Sequence, residues 1–138
     1  KYSQKNIINK LKLNKMGYRS KVIIGVKSGE LSEKFDNILR KHKFPIDKPD
    51  GYLKIHRDPN DKTLYTFQNI KWYESDNWCT EIVDWLEKQD DNTIDRQDGL
   101  ENVFCIGLGE DGQLHSEIGD PYEYVEQICE INLIDKIN

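Results

Sequence analysis

Long apolar runs are missing from this chain, and so is any patterned set of cysteines. No stretch approaches the roughly 20 apolar residues that cross a bilayer, and the first residues lack the apolar segment of a secretory signal. Cys79, Cys105 and Cys129 are odd in number and widely spaced, with no Cys-x-x-Cys pair. That argues against a disulfide scaffold and gives no spacing for structural zinc. The pattern reads instead as three small, reduced, buried thiols. His42, His56 and His115 are equally scattered, so neither a metal nor a cofactor can be read from ligand spacing. Internal repeats and low-complexity linkers are absent as well, and 138 residues are enough for one domain with one core.

Acidic residues are missing from positions 1 to 15, which hold five lysines, so the remaining 123 residues carry 15 basic and 25 acidic side chains, a net of −10. A basic leader, with a short apolar stripe from Ile7, Ile8 and Leu11, thus precedes an acidic body over 16–138. Such a body disfavours nucleic-acid phosphates, whose recognition needs gathered Lys and Arg. Charge complementarity points to a basic protein surface as the partner. Three Trp, seven Tyr and four Phe supply the core volume that disordered chains lack.

Periodicity places a β-branched strand from Ser20 to Lys27, then a helix opening at Ser28 with Leu31, Phe35, Ile38, Leu39 and His42 on one stripe. Pro45 and Pro49 mark a loop. Tyr52–Arg57 and Thr63–Tyr73 read as a hairpin about the turn Asp58, Pro59, Asn60, Asp61. Asp76 suits the cap of a second helix carrying Trp78, Ile82, Trp85 and Leu86, and Gln89–Glu101 reads as an acidic loop. Val103–Leu108 and Leu114–Ile118 form strands about a glycine turn, and Tyr122–Ile134 is ambiguous between helix and strand, with strand preferred. The order β-α-β-β-α-β-β predicts an α+β domain, a mainly antiparallel sheet with two helices on one face, and a ferredoxin-like core as the nearest template.

Chemical motifs fail on context. Gly107, Gly109 and Gly112 fit G-x-G-x-x-G, but Glu110 and Asp111 would repel a pyrophosphate and a strand follows, so a hairpin turn is expected. The loop Asp90, Asp91, Asp95, Asp98 and Glu101 misses the ligand positions of an EF-hand. Cys79, near a helix start, is a nucleophile only if a base such as His56 or His115 sits beside it. Trp72 and Tyr73 are adjacent on an expected strand, so one of the pair should be exposed enough to anchor a partner. With Asp90, Asp91, Asp95 and Asp98 as a charged rim, they are the contact residues this sequence suggests.

Met16, Gly17, Tyr18, Arg19 and Ser20 look like a second beginning, directly before an apolar run. Together with Lys71, Trp72, Tyr73 and Glu74, and with Ile106 to Asp111, that segment resembles a family of small uncharacterised tailed-phage and prophage proteins. The chain departs from the pattern in its leader, in the Asp-rich loop after Glu87 and in Leu108 between Gly107 and Gly109. The resemblance implies a single-domain accessory protein acting in an infected bacterial cytoplasm, and it transfers no catalytic residue. Three readings follow: a non-enzymatic module that binds a host or defence protein, a small domain or enzyme for a nucleotide-derived ligand sited near the Gly109 turn, and a structural virion component.

Overall fold

A computed structural model of the chain describes residues 17–92, 101–127 and 130–134. The elements run β1 (Ser20–Lys27), α1 (Glu30–Lys41), β2 (Leu53–Arg57), β3 (Lys62–Ile70), α2 (Asn77–Asp91), β4 (Val103–Gly109), β5 (Leu114–Ile118), β6 (Val125–Gln127) and β7 (Ile131–Leu133). Five strands form one sheet in the order β2-β3-β1-β4-β5, every neighbouring pair antiparallel. After β1 the chain crosses over through α1 and re-enters one place beyond β3, which then fills the gap. After β3 it crosses through α2 and re-enters on the far side of β1. These two split β-α-β units make the ferredoxin-like core, and β5 extends it by a hairpin.

β1 lies at the centre because it can be buried on both faces: Val22, Ile24 and Val26 point one way and Ile23 the other, all fully buried. The first set joins Tyr65 and Phe67 of β3, Val103 and Cys105 of β4, and the inward stripes of both helices, Phe35 and Leu39 from α1 and Cys79, Ile82 and Leu86 from α2. This is the helix face. On the other face Ile23, Leu64, Phe104, Ile106 and Leu108 are covered by Tyr124, Val125 and Ile131, from the segment containing β6 and β7. Gly25 belongs to this hairpin face, and a side chain there would overlap the Phe104 ring. Its absence lets Phe104 lie flat and stack on Tyr124, with ring centroids 5.2 Å apart.

Three expectations are corrected, and the preferred strand reading of the C-terminal segment holds. The cap of α1 falls one residue later than Ser28 because that hydroxyl is committed elsewhere, donating to the Asp58 carbonyl at 2.6 Å and lying 2.9 Å from Thr63 Oγ1. Gly29 takes the cap at φ 114, a conformation that favours glycine, and its N–H donates to Ser32 Oγ at 3.0 Å. β3 stops at Ile70 rather than Tyr73, after Asn69 turns to φ 54. α2 continues through Gln89, Asp90 and Asp91, which the sequence pattern assigns to the acidic loop. The C-terminal segment is two short antiparallel strands, β6 and β7, entered through a turn in which the Pro121 carbonyl accepts from the Tyr124 and Val125 amides. No described helix is long and apolar enough to cross a membrane.

Candidate functional site

The β6–β7 segment covers β4 and β1 and reaches Leu64 of β3, and it leaves β2, where Lys54 and His56 are exposed, uncovered. A cleft of about 480 Å³ lies at that boundary, lined by His56 of β2, Asp58 and Asp61 of the β2–β3 turn, Lys62 and Leu64 of β3, and Glu123 and Tyr124. The turn is fixed locally: Asp58 Oδ1 accepts the Asn60 amide at 3.0 Å and the Asp58 carbonyl accepts the Asp61 amide at 3.2 Å. Antiparallel register sets Lys62 opposite Lys27 and His56 opposite Leu64, which aims His56 at the same face as Leu64.

Lys62 is the unusual member. Strand alternation turns it inward beside Leu64, and it is only 2% exposed. Its Nζ sits 5.1 Å from the centroid of the Tyr124 ring and donates to Tyr124 Oη across 3.5 Å. Oη in turn donates to Asp61 Oδ1 at 2.7 Å. Burial pushes the Lys62 ammonium below the ordinary lysine value; Glu101, Asp61 and Glu123 pull it back, and Lys27 adds to the lowering. Burial, then the hydrogen bond to Asp61, drives the Tyr124 hydroxyl well above the usual tyrosine range. Glu101 is buried behind this group and accepts the Asp120 amide at 2.8 Å.

A second recess of about 350 Å³ lies by the Gly109 turn, where Arg19, Lys21, Asn69, Gly109, Glu110 and Glu130 are among the lining residues. Gly109 and Gly112 serve the β4–β5 hairpin, Gly112 at φ 80, so the glycine spacing is turn chemistry. Nearby, His115 Nε2 is 2.7 Å from Ser20 Oγ and its Nδ1 is 2.9 Å from Ser116 Oγ, with the ring lying over Gly107.

The structure separates the candidates that a nucleophile–base pairing requires. His56 is in the cleft, His115 is at the Ser20 hydroxyl, and Cys79 is buried among the core residues of the helix face. Burial, then Glu74, pushes the Cys79 thiol far above its ordinary range, so this helix start does not activate it. Cys105 is equally buried, and Cys129 lies outside the described residues. Among the described residues no group of three or more His, Cys, Asp or Glu gathers to hold a metal ion.

The expected contact set also changes. Trp72 is fully buried, packed against Phe67 and Trp78 at 6.4 and 5.6 Å, and has no surface to offer a partner. Because β3 ends before it, the strand alternation that promised an exposed ring does not apply. Tyr73 is partly buried, Asp90 is partly buried and Asp91 exposed at the end of α2, while Asp95 and Asp98 lie outside the described residues. Among the described residues the large exposed aromatics are Tyr52 and Tyr122, at 39% and 49%. Sequence reasoning passed over Lys62 and Tyr124, although the two-residue alternation of β3, Lys62 with Leu64 and Thr66, marks Lys62 as inward. No family model, curated protein or solved structure matches the chain.

Proposed function

We propose that the protein is an accessory binding module of the phage or prophage kind, engaging a host or defence protein that presents a basic surface. The observation that carries this reading is the convergence of Asp58, Asp61 and Glu123 on one concave opening, in a body whose net charge is −10 outside its leader. Tyr122, exposed next to Glu123 in the same turn, takes the anchoring role that Trp72 is too buried to fill. Carboxylates at such a rim steer a cationic partner and set salt dependence more than they add affinity.

The test is capture from bacterial lysate with the full chain and two charge-reversed variants, read at low and high salt. One variant carries Asp58→Lys and Glu123→Lys; the other carries Asp90→Lys and Asp91→Lys. A salt-sensitive partner lost by the cleft variant and kept by the helix variant supports the reading. Equal retention by both, or equal loss from both, removes it. The cleft also favours a second reading, a small-ligand site, because one of its walls is a buried amine.

A further inference from the structure

We propose that Lys62 is a reactive amine and that the cleft takes a small aldehyde or ketone lacking an acidic group, which Lys62 captures as an imine. The inference goes beyond partner docking, because it rests on the amine and not on the carboxylate rim.

The first argument is hydrogen-bond capacity. A lysine ammonium carries three donors, and a buried donor without an acceptor is costly. Among the described residues Lys62 has one hydrogen-bond partner, Tyr124 Oη at the long distance of 3.5 Å, and no ion pair. The carboxylate that a structural lysine would take, Asp61, is engaged by the tyrosine hydroxyl instead. Desolvation acts in the same direction, favouring the neutral amine, which is the nucleophilic form. Glu101, Asp61 and Glu123 oppose it without reversing it.

The second argument is what stands beside the amine. Imine formation joins Nζ to the carbonyl carbon, giving a carbinolamine; the C–O bond then breaks and the oxygen leaves as water with the two protons of the amine. That sequence needs a group that gives a proton to the departing oxygen and recovers one from nitrogen. Tyr124 Oη, 3.5 Å from Nζ and hydrogen-bonded to Asp61 at 2.7 Å, has the contacts for this relay. Stacking on Phe104 fixes the ring, and the strand register fixes the lysine backbone.

Ligand class follows from charge and size. Asp58, Asp61 and Glu123 line the cleft and repel carboxylates and phosphates, which leaves neutral or cationic carbonyl compounds. The volume, about 480 Å³, falls within the roughly 300–1,000 Å³ of small-molecule sites.

The experiment treats the full chain with glyceraldehyde and cyanoborohydride at neutral pH and follows the mass of every lysine peptide with time. Lys62 is expected to be labelled several-fold faster than the exposed helix residues Lys34 and Lys88, and that ratio should fall several-fold with pyruvate, which carries a carboxylate and whose lower ketone reactivity cancels in the ratio. Tyr124→Phe keeps the ring stack and removes the relay; it should slow labelling of Lys62 while leaving labelling of Lys34 and the circular-dichroism spectrum of the folded chain unchanged. Labelling of Lys62 no faster than Lys34, an unchanged ratio with pyruvate, or no effect of Tyr124→Phe would each overturn the proposal.

Discussion

The two faces of the central sheet are built to different standards. Among the described residues the helix face gathers sixteen buried residues into one cluster, and the hairpin face gathers eight. On the helix face Tyr65 Oη donates to Asp36 Oδ1 at 2.6 Å and Asp36 Oδ2 meets the Arg57 guanidinium at 3.1 Å, while the buried Trp72 Nε1 has no hydrogen-bond partner among the described residues. The hairpin face instead leaves a lysine with one long hydrogen bond at the edge of an open cleft. The difference teaches where stability and binding are divided, since two helices seal one side and a short hairpin leaves the β2 edge of the other uncovered.

The sharpest way to break that comparison uses neighbours. Ile23 and Ile24 are consecutive, both fully buried, and point to opposite faces. Ile→Ala in a core costs about 2–5 kcal/mol, with the upper end reached where the surroundings cannot collapse into the cavity. Ile24→Ala, among the aromatic rings of the helix face, is expected near the upper end, and Ile23→Ala, beneath the short hairpin, near the lower. Equal costs in denaturant unfolding would show the two faces to be equally well packed.

Much of this architecture was legible, for reasons that can be traced to single residues. The β-branched run from Val22 to Val26 has nowhere to go but a central strand, and the stripe Leu31, Phe35, Leu39 fixes α1. Asp76, Trp78, Ile82 and Leu86 did the same for α2. What failed was the ends. Ser28 has the chemistry of a cap, but its hydroxyl is spent across the chain at Asp58 and Thr63, contacts that local sequence does not contain. Trp72 looked like a strand residue because the apolar pattern runs on past Asn69, whose tolerance of positive φ is only a weak stop signal, and its burial is decided by Trp78 and Phe67. The cleft was hidden for the same reason: it joins the β2–β3 turn to a tyrosine 63 positions away in the chain.

An intermediate effect tests the pairing on the helix face. Asp36→Ala strips the Tyr65 hydroxyl of its acceptor and Arg57 of its carboxylate, and is expected to destabilise by about 1–3 kcal/mol, most of it from the orphaned buried hydroxyl. Adding Tyr65→Phe should recover a large part of that cost, because it removes the orphan. A double variant no more stable than Asp36→Ala alone would place the cost elsewhere. The exposed pair Lys34–Glu30, by contrast, should make no measurable difference when broken.

A small effect is the most informative about the hairpin face. Lys62→Met replaces the amine by an apolar chain of similar length, a change expected to stay under about 1.5 kcal/mol where packing is kept. Its pH dependence carries the argument. Burial lowers the Lys62 pKa in the folded state relative to the ordinary 10.5, so between the lowered value and 10.5 the unfolded chain holds more protons. Folding stability of the parent therefore rises with pH through that window and is at its full disadvantage below it. The variant has no such group, so it should be at least as stable as the parent at pH 7, with the gap closing as pH approaches 10.5. Tyr18, Tyr65 and Tyr124, all raised in the fold, lose stabilising effect above about pH 10, but Tyr18 and Tyr65 do so equally in both proteins and cancel in the difference. Tyr124 touches Lys62 and need not cancel, which is why the comparison is made in the Tyr124→Phe background, between pH 7 and 10.5. A gap that stays constant over that range would mean the amine is as well solvated as a surface lysine, and the contrast between a sealed face and a reactive one would fall with it.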